Sequence, residues 1–285
     1  MSKQRIGWIG LGNMGIPMSL QLINAGYPVT VYNRSKEKEE SLKASGAAIA
    51  NAPKELIEQT DIVVVMVSDD QAVRDIYTGE NGLLSAAISG KLIINMSTIS
   101  PGISRDTADQ VSQLGGAHLD APVSGSVKQA ETAQLIIMVG GNADDFEQAK
   151  PVLESMGKLV LHLGSHGAGN TAKLGINTLL AIQAQGLAEA VNFVQQQGIK
   201  TEDFLNIFNN GAIGNPFGKI KGDAILADNY KPAFALRHMV KDLGLAKAEG
   251  ISSPLALTAL QTYTDAAGQY ADEDVIAVFK YLKAE

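Results

Sequence analysis

The chain has 285 residues, enough for two domains of ordinary size and a large buried core. Apolar residues make up 45% of it and charged residues 19%, which excludes an intrinsically disordered protein. The absence of cysteine excludes disulfide frameworks and thiolate metal sites and allows a reducing compartment, so we expect a cytoplasmic protein. With 23 basic and 30 acidic residues the net charge is −7, which argues against general attraction to nucleic acid or to an anionic membrane.

Membrane and metal sites are also disfavoured by local patterns. Residues 6–33 carry no charge, but polar residues, glycine and proline interrupt them, so we predict neither a signal peptide nor a membrane span. His162 and His166 form the only close pair of histidines and have no third ligand candidate at a suitable spacing. We therefore predict no metal site.

The first half of the chain alternates short β-rich runs with helical patterns. This alternation predicts a largely parallel sheet with helices on both faces. The predicted strands are 5–9, 29–32, 61–67, 91–95, 118–121, 135–139 and 159–163. The run 62–67 is apolar without alternation, as in a central strand that is buried on both faces. We expect an α/β domain over 1–164, with its ligand at the carboxyl ends of the strands.

The second half is predicted to be helical. Helix-favouring residues dominate 170–197, 201–209, 236–249 and 254–267. The stretch 171–197 is long enough for one helix of roughly 40 Å, which Gly198 would end. We expect an all-α domain over 165–285, joined to the first by this long helix, with the active site at the junction of the two halves.

A glycine-rich segment lies between the first predicted strand and a predicted helix over 14–25. Its residues read Gly-Leu-Gly-Asn-Met-Gly, which matches the dinucleotide-binding pattern G-x-G-x-x-G in its proper strand-to-helix context. The first glycine permits a tight turn, the second leaves room for a pyrophosphate, and the third lets helix and strand pack closely. The predicted cofactor-binding residues here are Gly10, Leu11, Gly12, Asn13, Met14 and Gly15. This predicts a Rossmann-type domain, and the alternative is a glycine-rich turn without a ligand.

The end of the next strand carries Asn33, Arg34 and Ser35. An NAD-specific site places Asp or Glu on the ribose about 20 residues beyond the glycines. None of these three residues is acidic, and Arg34 can pair with the 2′-phosphate of NADP while its two neighbours hydrogen-bond. We predict that NADPH is preferred over NADH. The alternative is a solvated arginine in a loop.

Four further segments complete a recognisable set. They are Asp-Ala-Pro-Val-Ser-Gly-Ser at 120–126, Gly-Ala-Gly-Asn-Thr-Ala-Lys at 167–173 followed by Asn177, Ser-Thr at 97–98, and Lys-Asp-Leu at 241–243. With the N-terminal glycines, this set closely resembles the β-hydroxyacid dehydrogenase family over essentially the whole chain. Members of this family include 3-hydroxyisobutyrate dehydrogenase, tartronate semialdehyde reductase, and the glyoxylate and succinic semialdehyde reductases.

The resemblance implies a role for each matched position. Lys173 would be the catalytic lysine, Asn177 a substrate-orienting group, and Ser124 with Gly125 the loop that binds the substrate carboxylate. The remaining positions implied for the cofactor are Met66, Val67, Ser68, Thr98 and Lys241, and those implied for the substrate pocket are Phe234 and Asp242.

Physical reasoning supports the role of the lysine. Hydride addition to a carbonyl builds negative charge on its oxygen, and a lysine there both stabilises that charge and delivers a proton. Lys173 and Asn177 are four residues apart, hence on one face of a helix. Outside this set of motifs, Lys173 would be interpreted as an ordinary surface lysine.

Two departures bear on the substrate. Ser126 and Ala133 stand where many 3-hydroxyisobutyrate dehydrogenases have glycine, and the Ser-Gly-Ser sequence resembles the glyoxylate and succinic semialdehyde reductase branch. We therefore expect an NADPH-preferring reductase of short carboxylated aldehydes, forming hydroxy acids. The alternatives are an NAD-dependent 3-hydroxyisobutyrate or tartronate semialdehyde dehydrogenase, an imine reductase, against which Lys173 argues, and a non-catalytic cofactor-binding protein. The apolar helical half further predicts a homodimer or homotetramer.

Overall fold

A computed structural model describes residues 3–283 of the chain. Its strands are β1 (Ile6–Ile9), β2 (Val29–Tyr32), β3 (Ala48–Ile49), β4 (Ile62–Val65), β5 (Leu92–Asn95), β6 (Ala117–Asp120), β7 (Val123–Ser124), β8 (Leu135–Gly141) and β9 (Gly157–Gly164). Its helices are α1 (Gly15–Asn24), α2 (Glu40–Ala44), α3 (Pro53–Gln59), α4 (Asp70–Thr78), α5 (Pro101–Gln113), α6 (Val127–Glu131), α7 (Ala143–Glu154), α8 (Ala168–Gln196), α9 (Thr201–Asn210), α10 (Pro216–Leu226), α11 (Leu236–Ala248), α12 (Pro254–Tyr270) and α13 (Val278–Lys283).

The strands form one sheet in the order β3-β2-β1-β4-β5-β6-β8-β7, with β9 paired to β8. Strands β1 to β6 are parallel to one another, whereas β8 runs antiparallel to β6 and β7. The order of the first six is that of a dinucleotide-binding doubly wound sheet, which reverses direction between β1 and β4. The predicted fold class, an α/β Rossmann-type domain followed by a helical region joined by a long helix, is confirmed.

Burial explains why β4 has no alternating pattern. All four of its residues are buried. Ile62 and Val64 belong to the core on one face of the sheet, and Val63 and Val65 belong to the core on the other. Because successive side chains of a strand point to opposite faces, an apolar layer on each side selects a continuous apolar run.

Helix α8 spans 29 residues, roughly 44 Å at 1.5 Å per residue. It is followed by Gly198, whose φ of +81° lies in the left-handed region and whose N–H donates to the carbonyl of Gln195. The chain divides into two compact units inside this helix, between Lys173 and Leu174. The second unit has its own apolar core, formed by α8 to α13. Among the described helices, none is both long enough and apolar enough to cross a membrane.

Several predicted boundaries and elements differ from the structure. The strand at 29–32 has the predicted bounds, and each of the other predicted strands differs from the structure by one or two residues at one or both ends. The two-residue strands β3 and β7, and the helices α10 and α13, are absent from the predicted set. Ala133 adopts φ +54°, a left-handed conformation in which glycine would be unstrained.

Candidate functional site

Each of the three glycines in the glycine-rich segment has its own structural reason. Gly10 has φ +100°, and a Cβ there would lie 2.1 Å from the carbonyl oxygen of Met66. A Cβ on Gly15 would lie 2.0 Å from the carbonyl oxygen of Gly10. Gly12 differs, because a Cβ built on it would meet no described atom within 4 Å. Two glycines therefore permit close backbone packing, while the third borders open space for a phosphate.

The ends of β4 and β5 lie beside this segment. The Met66 N–H donates to the Ile9 carbonyl (2.8 Å), and the Val67 N–H donates to the hydroxyl of Ser97 (2.9 Å). Met66 and Val67 are partly buried and Ser68 is exposed. The predicted positions after β4 thus adjoin the glycine-rich turn at the point where the strand order reverses, which is where ligands of such sheets bind.

Asn33 connects the end of β2 to the same turn. Its Oδ1 accepts a hydrogen bond from the Leu11 N–H (2.9 Å), and its Nδ2 donates to the carbonyl of Ser35 (2.8 Å). Arg34 and Ser35 are exposed. The Asn33 side chain therefore holds the glycine-rich turn within the protein, while Arg34 and Ser35 face solvent.

A buried acid, Glu39, contacts the end of β2 and is not among the predicted site residues. Glu39 is 4% exposed, and its Oε1 accepts hydrogen bonds from the Asn33 N–H (2.8 Å) and from Nζ of Lys36 (3.0 Å). Glu39 follows residues 33–35, the positions at which an NAD-specific site would place its acid. No regular spacing in the sequence indicates that its side chain contacts Asn33.

Two buried polar side chains hold the beginning of α8. The Asp120 carboxylate accepts from the N–H groups of Gly167 (2.7 Å) and Asn170 (2.9 Å). Burial raises the pKa of Asp120, and these two hydrogen bonds oppose that rise. The Asn170 side chain accepts from the Ile99 N–H (3.0 Å), next to Thr98, and donates to the hydroxyl of Ser104 (3.0 Å). The first turn of α8, which leads to Lys173, is thereby fixed to the ends of β5 and β6.

The predicted carboxylate-binding turn lies at the end of β7. Ser124 is partly buried, and Gly125 is exposed with φ +142°. A Cβ on Gly125 would lie 2.7 Å from Cδ2 of Leu135, so this position needs glycine for space as well as for conformation. Ser126 caps α6 in a reciprocal arrangement with Gln129, so this serine has a structural role at the beginning of the helix.

Three predicted residues meet within the second unit. The buried side chain of Asn177 donates from Nδ2 to Oδ2 of Asp242 (2.5 Å), and Nζ of Lys241 lies 3.1 Å from Oδ1 of the same carboxylate. The amide and the ammonium are thus oriented by one buried carboxylate. Nearby on the chain, the ring of Phe234 stacks on His238 with centroids 6.1 Å apart.

Most of the predicted site residues form two groups, and the contacts described for Gly125 and Phe234 are with residues outside both. Within the first unit, the glycine-rich turn, the ends of β2, β4 and β5, and the start of α8 are joined by the contacts above. Within the second, Asn177, Lys241 and Asp242 are joined. Lys173 is partly buried and precedes Asn177 by four residues on α8. In the described part of the chain, no cluster of three or more His, Asp or Glu side chains is arranged to hold a metal.

Comparisons with known proteins agree with this geometry. Residues 5–164 match the model of the NAD binding domain of 6-phosphogluconate dehydrogenase, and residues 167–282 match that of NADP-dependent 3-hydroxyisobutyrate dehydrogenase. The mitochondrial 3-hydroxyisobutyrate dehydrogenase of Mus musculus is 36% identical, over 100% of this chain and 88% of its own length. The chloroplastic glyoxylate/succinic semialdehyde reductase 2 of Arabidopsis thaliana is also 36% identical, over 98% of this chain and 79% of its own.

A solved structure extends the likeness to three dimensions. The 3-hydroxyisobutyrate dehydrogenase of Mycobacterium tuberculosis superimposes with a TM-score of 0.90 at 34% identity, covering 99% of this chain and 100% of that one. The family resemblance predicted from the motifs is confirmed. The chain belongs to the β-hydroxyacid dehydrogenase family and is an NAD(P)-dependent oxidoreductase.

Proposed function

We propose that this protein reduces short carboxylated aldehydes, of the glyoxylate or succinic semialdehyde type, to hydroxy acids and prefers NADPH. The observation that carries the proposal is the fixed start of α8, where Asp120 and Asn170 hold the turn that leads to Lys173. The 36% identity to a glyoxylate/succinic semialdehyde reductase supports this substrate class.

Each predicted residue then has a chemical task. A bound nicotinamide would supply the hydride. Lys173 donates a proton to the carbonyl oxygen as negative charge develops there. Asn177, oriented by Asp242, donates a hydrogen bond to the substrate, and Ser124 with the backbone at Gly125 binds its carboxylate. Thr98 and Lys241 would contact the cofactor near the nicotinamide.

The cofactor preference rests on the turn after β2. Arg34 and Ser35 are exposed there, and the acid that accepts a hydrogen bond from the Asn33 N–H, Glu39, is buried. An exposed guanidinium in this place favours a 2′-phosphate through a charge-assisted bidentate pair.

A second candidate is an NAD-dependent 3-hydroxyisobutyrate dehydrogenase. The observation that favours it is the 36% identity to the mouse enzyme of that name over the whole chain. Pocket width beside the carboxylate separates the two candidates, because 3-hydroxyisobutyrate has a methyl branch on the carbon next to its carboxylate whereas glyoxylate and succinic semialdehyde are unbranched.

The test is kcat/KM for acid aldehydes of increasing chain length, and for 3-hydroxyisobutyrate in the reverse direction, each with both cofactors. We expect the highest value for a short unbranched semialdehyde with NADPH. Arg34→Gln should lower kcat/KM with NADPH by about tenfold, a loss of one charge-assisted pair, and should leave the value with NADH nearly unchanged. Lys43→Gln on α2, an exposed change of equal charge, is the matched control. Preference for NADH or for 3-hydroxyisobutyrate would contradict the proposal.

We also propose a homodimer or homotetramer formed through the helical unit. Ile207, Ile213 and Ile220 of that unit are 61–76% exposed in the single chain, and burying such apolar side chains would stabilise an assembly. Light scattering at micromolar concentration should give the mass of two or four chains. Ile220→Asp should shift that mass toward one chain, and a wild-type protein that is wholly monomeric would exclude this assembly.

A further inference from the structure

We propose that the Lys36–Glu39 ion pair supports the preference for NADPH that Arg34 confers, with Glu39 acting as a positioning residue at the end of β2. This inference rests on the proposed function, because it concerns the same end of the cofactor. It adds two residues that the motifs do not assign.

Glu39 connects the end of β2 to the glycine-rich turn through hydrogen bonds. Its Oε1 accepts from the Asn33 N–H, and the Oδ1 of Asn33 in turn accepts from the Leu11 N–H in the glycine-rich turn. One buried carboxylate therefore fixes the end of β2 relative to the loop that receives the pyrophosphate. Arg34 follows Asn33 directly in the chain.

The negative charge of Glu39 is compensated by the ammonium group of Lys36. The Glu39 side chain is only 6% exposed, so solvent screens its charge poorly, and it accepts a hydrogen bond from the backbone at the end of β2, where an acid selects against a 2′-phosphate. Nζ of Lys36 lies 3.0 Å from Glu39 Oε1. The Lys36 ammonium also lies 4.6 Å from the centroid of the Tyr32 ring and 3.4 Å from the carbonyl oxygen of Ala50, and these contacts hold it in place.

An acid at this end of β2 is the feature that selects NAD in other doubly wound domains. Here the acid is present, but it is buried, accepts a hydrogen bond from the Asn33 N–H and is paired with the Lys36 ammonium. We infer that the pair allows Glu39 to shape the turn without repelling a 2′-phosphate. Removing the ammonium alone should expose the cofactor to the uncompensated carboxylate.

The experiment measures cofactor dissociation constants directly. Trp8 is the only tryptophan of the chain, and its indole N–H donates to the carbonyl of Gly10 (3.0 Å), so its fluorescence reports binding at this turn without any turnover. NADPH and NADH are titrated against wild type, Lys36→Gln, Glu39→Gln, Glu39→Ala and the double variant Lys36→Gln/Glu39→Gln, with Lys43→Gln as the matched control of equal charge.

In Lys36→Gln, the dissociation constant of NADPH is expected to rise about tenfold relative to that of NADH. One poorly screened negative charge would then act on the phosphate without a compensating ammonium. Glu39→Gln retains an acceptor for the Asn33 N–H but leaves the Lys36 ammonium unpaired, so it should raise the affinity for NADPH relative to that for NADH. The double variant should recover the NADPH affinity lost in Lys36→Gln, because it removes the charge that Lys36 compensated. Glu39→Ala, which loses the contact to Asn33, should lower the affinity for NADPH and for NADH by similar factors.

The double variant separates electrostatics from folding, since a purely structural loss would not be recovered by a second change. If Lys36→Gln leaves the ratio of NADPH to NADH affinity unchanged, or if the double variant does not restore it, the inference is wrong. A wild type that binds NADH more tightly would instead contradict the proposed cofactor preference, while the change in ratio on Lys36→Gln would still decide the role of the ion pair.

Discussion

Replacing Lys173 with alanine should lower kcat by roughly 10²–10⁴-fold, the usual contribution of a general acid. Cofactor affinity, followed by Trp8 fluorescence, should remain close to that of wild type, because the glycine-rich turn and the end of β2 keep all their contacts. The expected pattern is thus a loss in the chemical step with binding retained.

Two companions test the chemical role of the lysine. Lys158→Ala removes an exposed lysine of β9 and should leave kcat unchanged. Added small primary amines should restore part of the activity of Lys173→Ala, since they supply the missing proton donor. An alanine variant that turns over like wild type would remove Lys173 from the mechanism, and a loss of cofactor binding in parallel with kcat would assign it a structural role instead.

The sheet could be predicted from sequence because its signals are local. A strand buried on both faces, such as β4, must be a continuous apolar run, and the strand-to-helix turn at Gly10 needs glycine for its backbone geometry. The strands β3 and β7 could not be predicted in this way. Each has two residues, and neighbouring strands rather than their own composition define them.

Helix α10 shows a different limit. Its two glycines, Gly218 and Gly222, suggest a loop by propensity. In the structure, a Cβ on Gly218 would lie 2.4 Å from the ring of Phe208, and one on Gly222 would lie 2.8 Å from Leu205. The glycines are there to let α10 approach α9 closely, a tertiary requirement that overrides local propensity.

The candidate site divides along the same line. Residues within motifs, such as Lys173 and Asn177, could be predicted because the motifs resemble those of a known family, and the spacing of the two on one helix supports that assignment. Glu39 and Asn170 were missed as functional candidates because their partners Asn33 and Ile99 come together only when the chain folds. A buried polar side chain that organises backbone N–H groups leaves no periodic signal in the sequence.

Lowering the pH from 6.5 should destabilise the protein through one buried histidine. His118 is 2% exposed, its Nε2 lies 3.1 Å from the hydroxyl of Tyr77, and its Nδ1 has no hydrogen-bonding partner among residues 3–283. Burial, with a smaller contribution from the nearby His166, lowers the pKa of His118 to about 3.

The sign follows from proton uptake. An unfolded histidine has a pKa of about 6.5, so below that pH the unfolded chain binds a proton that folded His118 refuses. The stability present at neutral pH is therefore lost as pH falls, by about 1.4 kcal/mol of unfolding free energy for each pH unit. The window extends from 6.5 down to the folded pKa of about 3.

Urea unfolding at fixed protein concentration between pH 6.5 and 4.5 measures this slope. His118→Gln should lose that contribution of about 1.4 kcal/mol per pH unit, whatever its stability at neutral pH, because glutamine has no proton to bind in this range. Tyr77→Phe retains the histidine in its apolar site and should keep the steep slope. His162→Gln, on an exposed residue, should also keep it. Equal slopes in wild type and His118→Gln would show that another group controls the acid sensitivity.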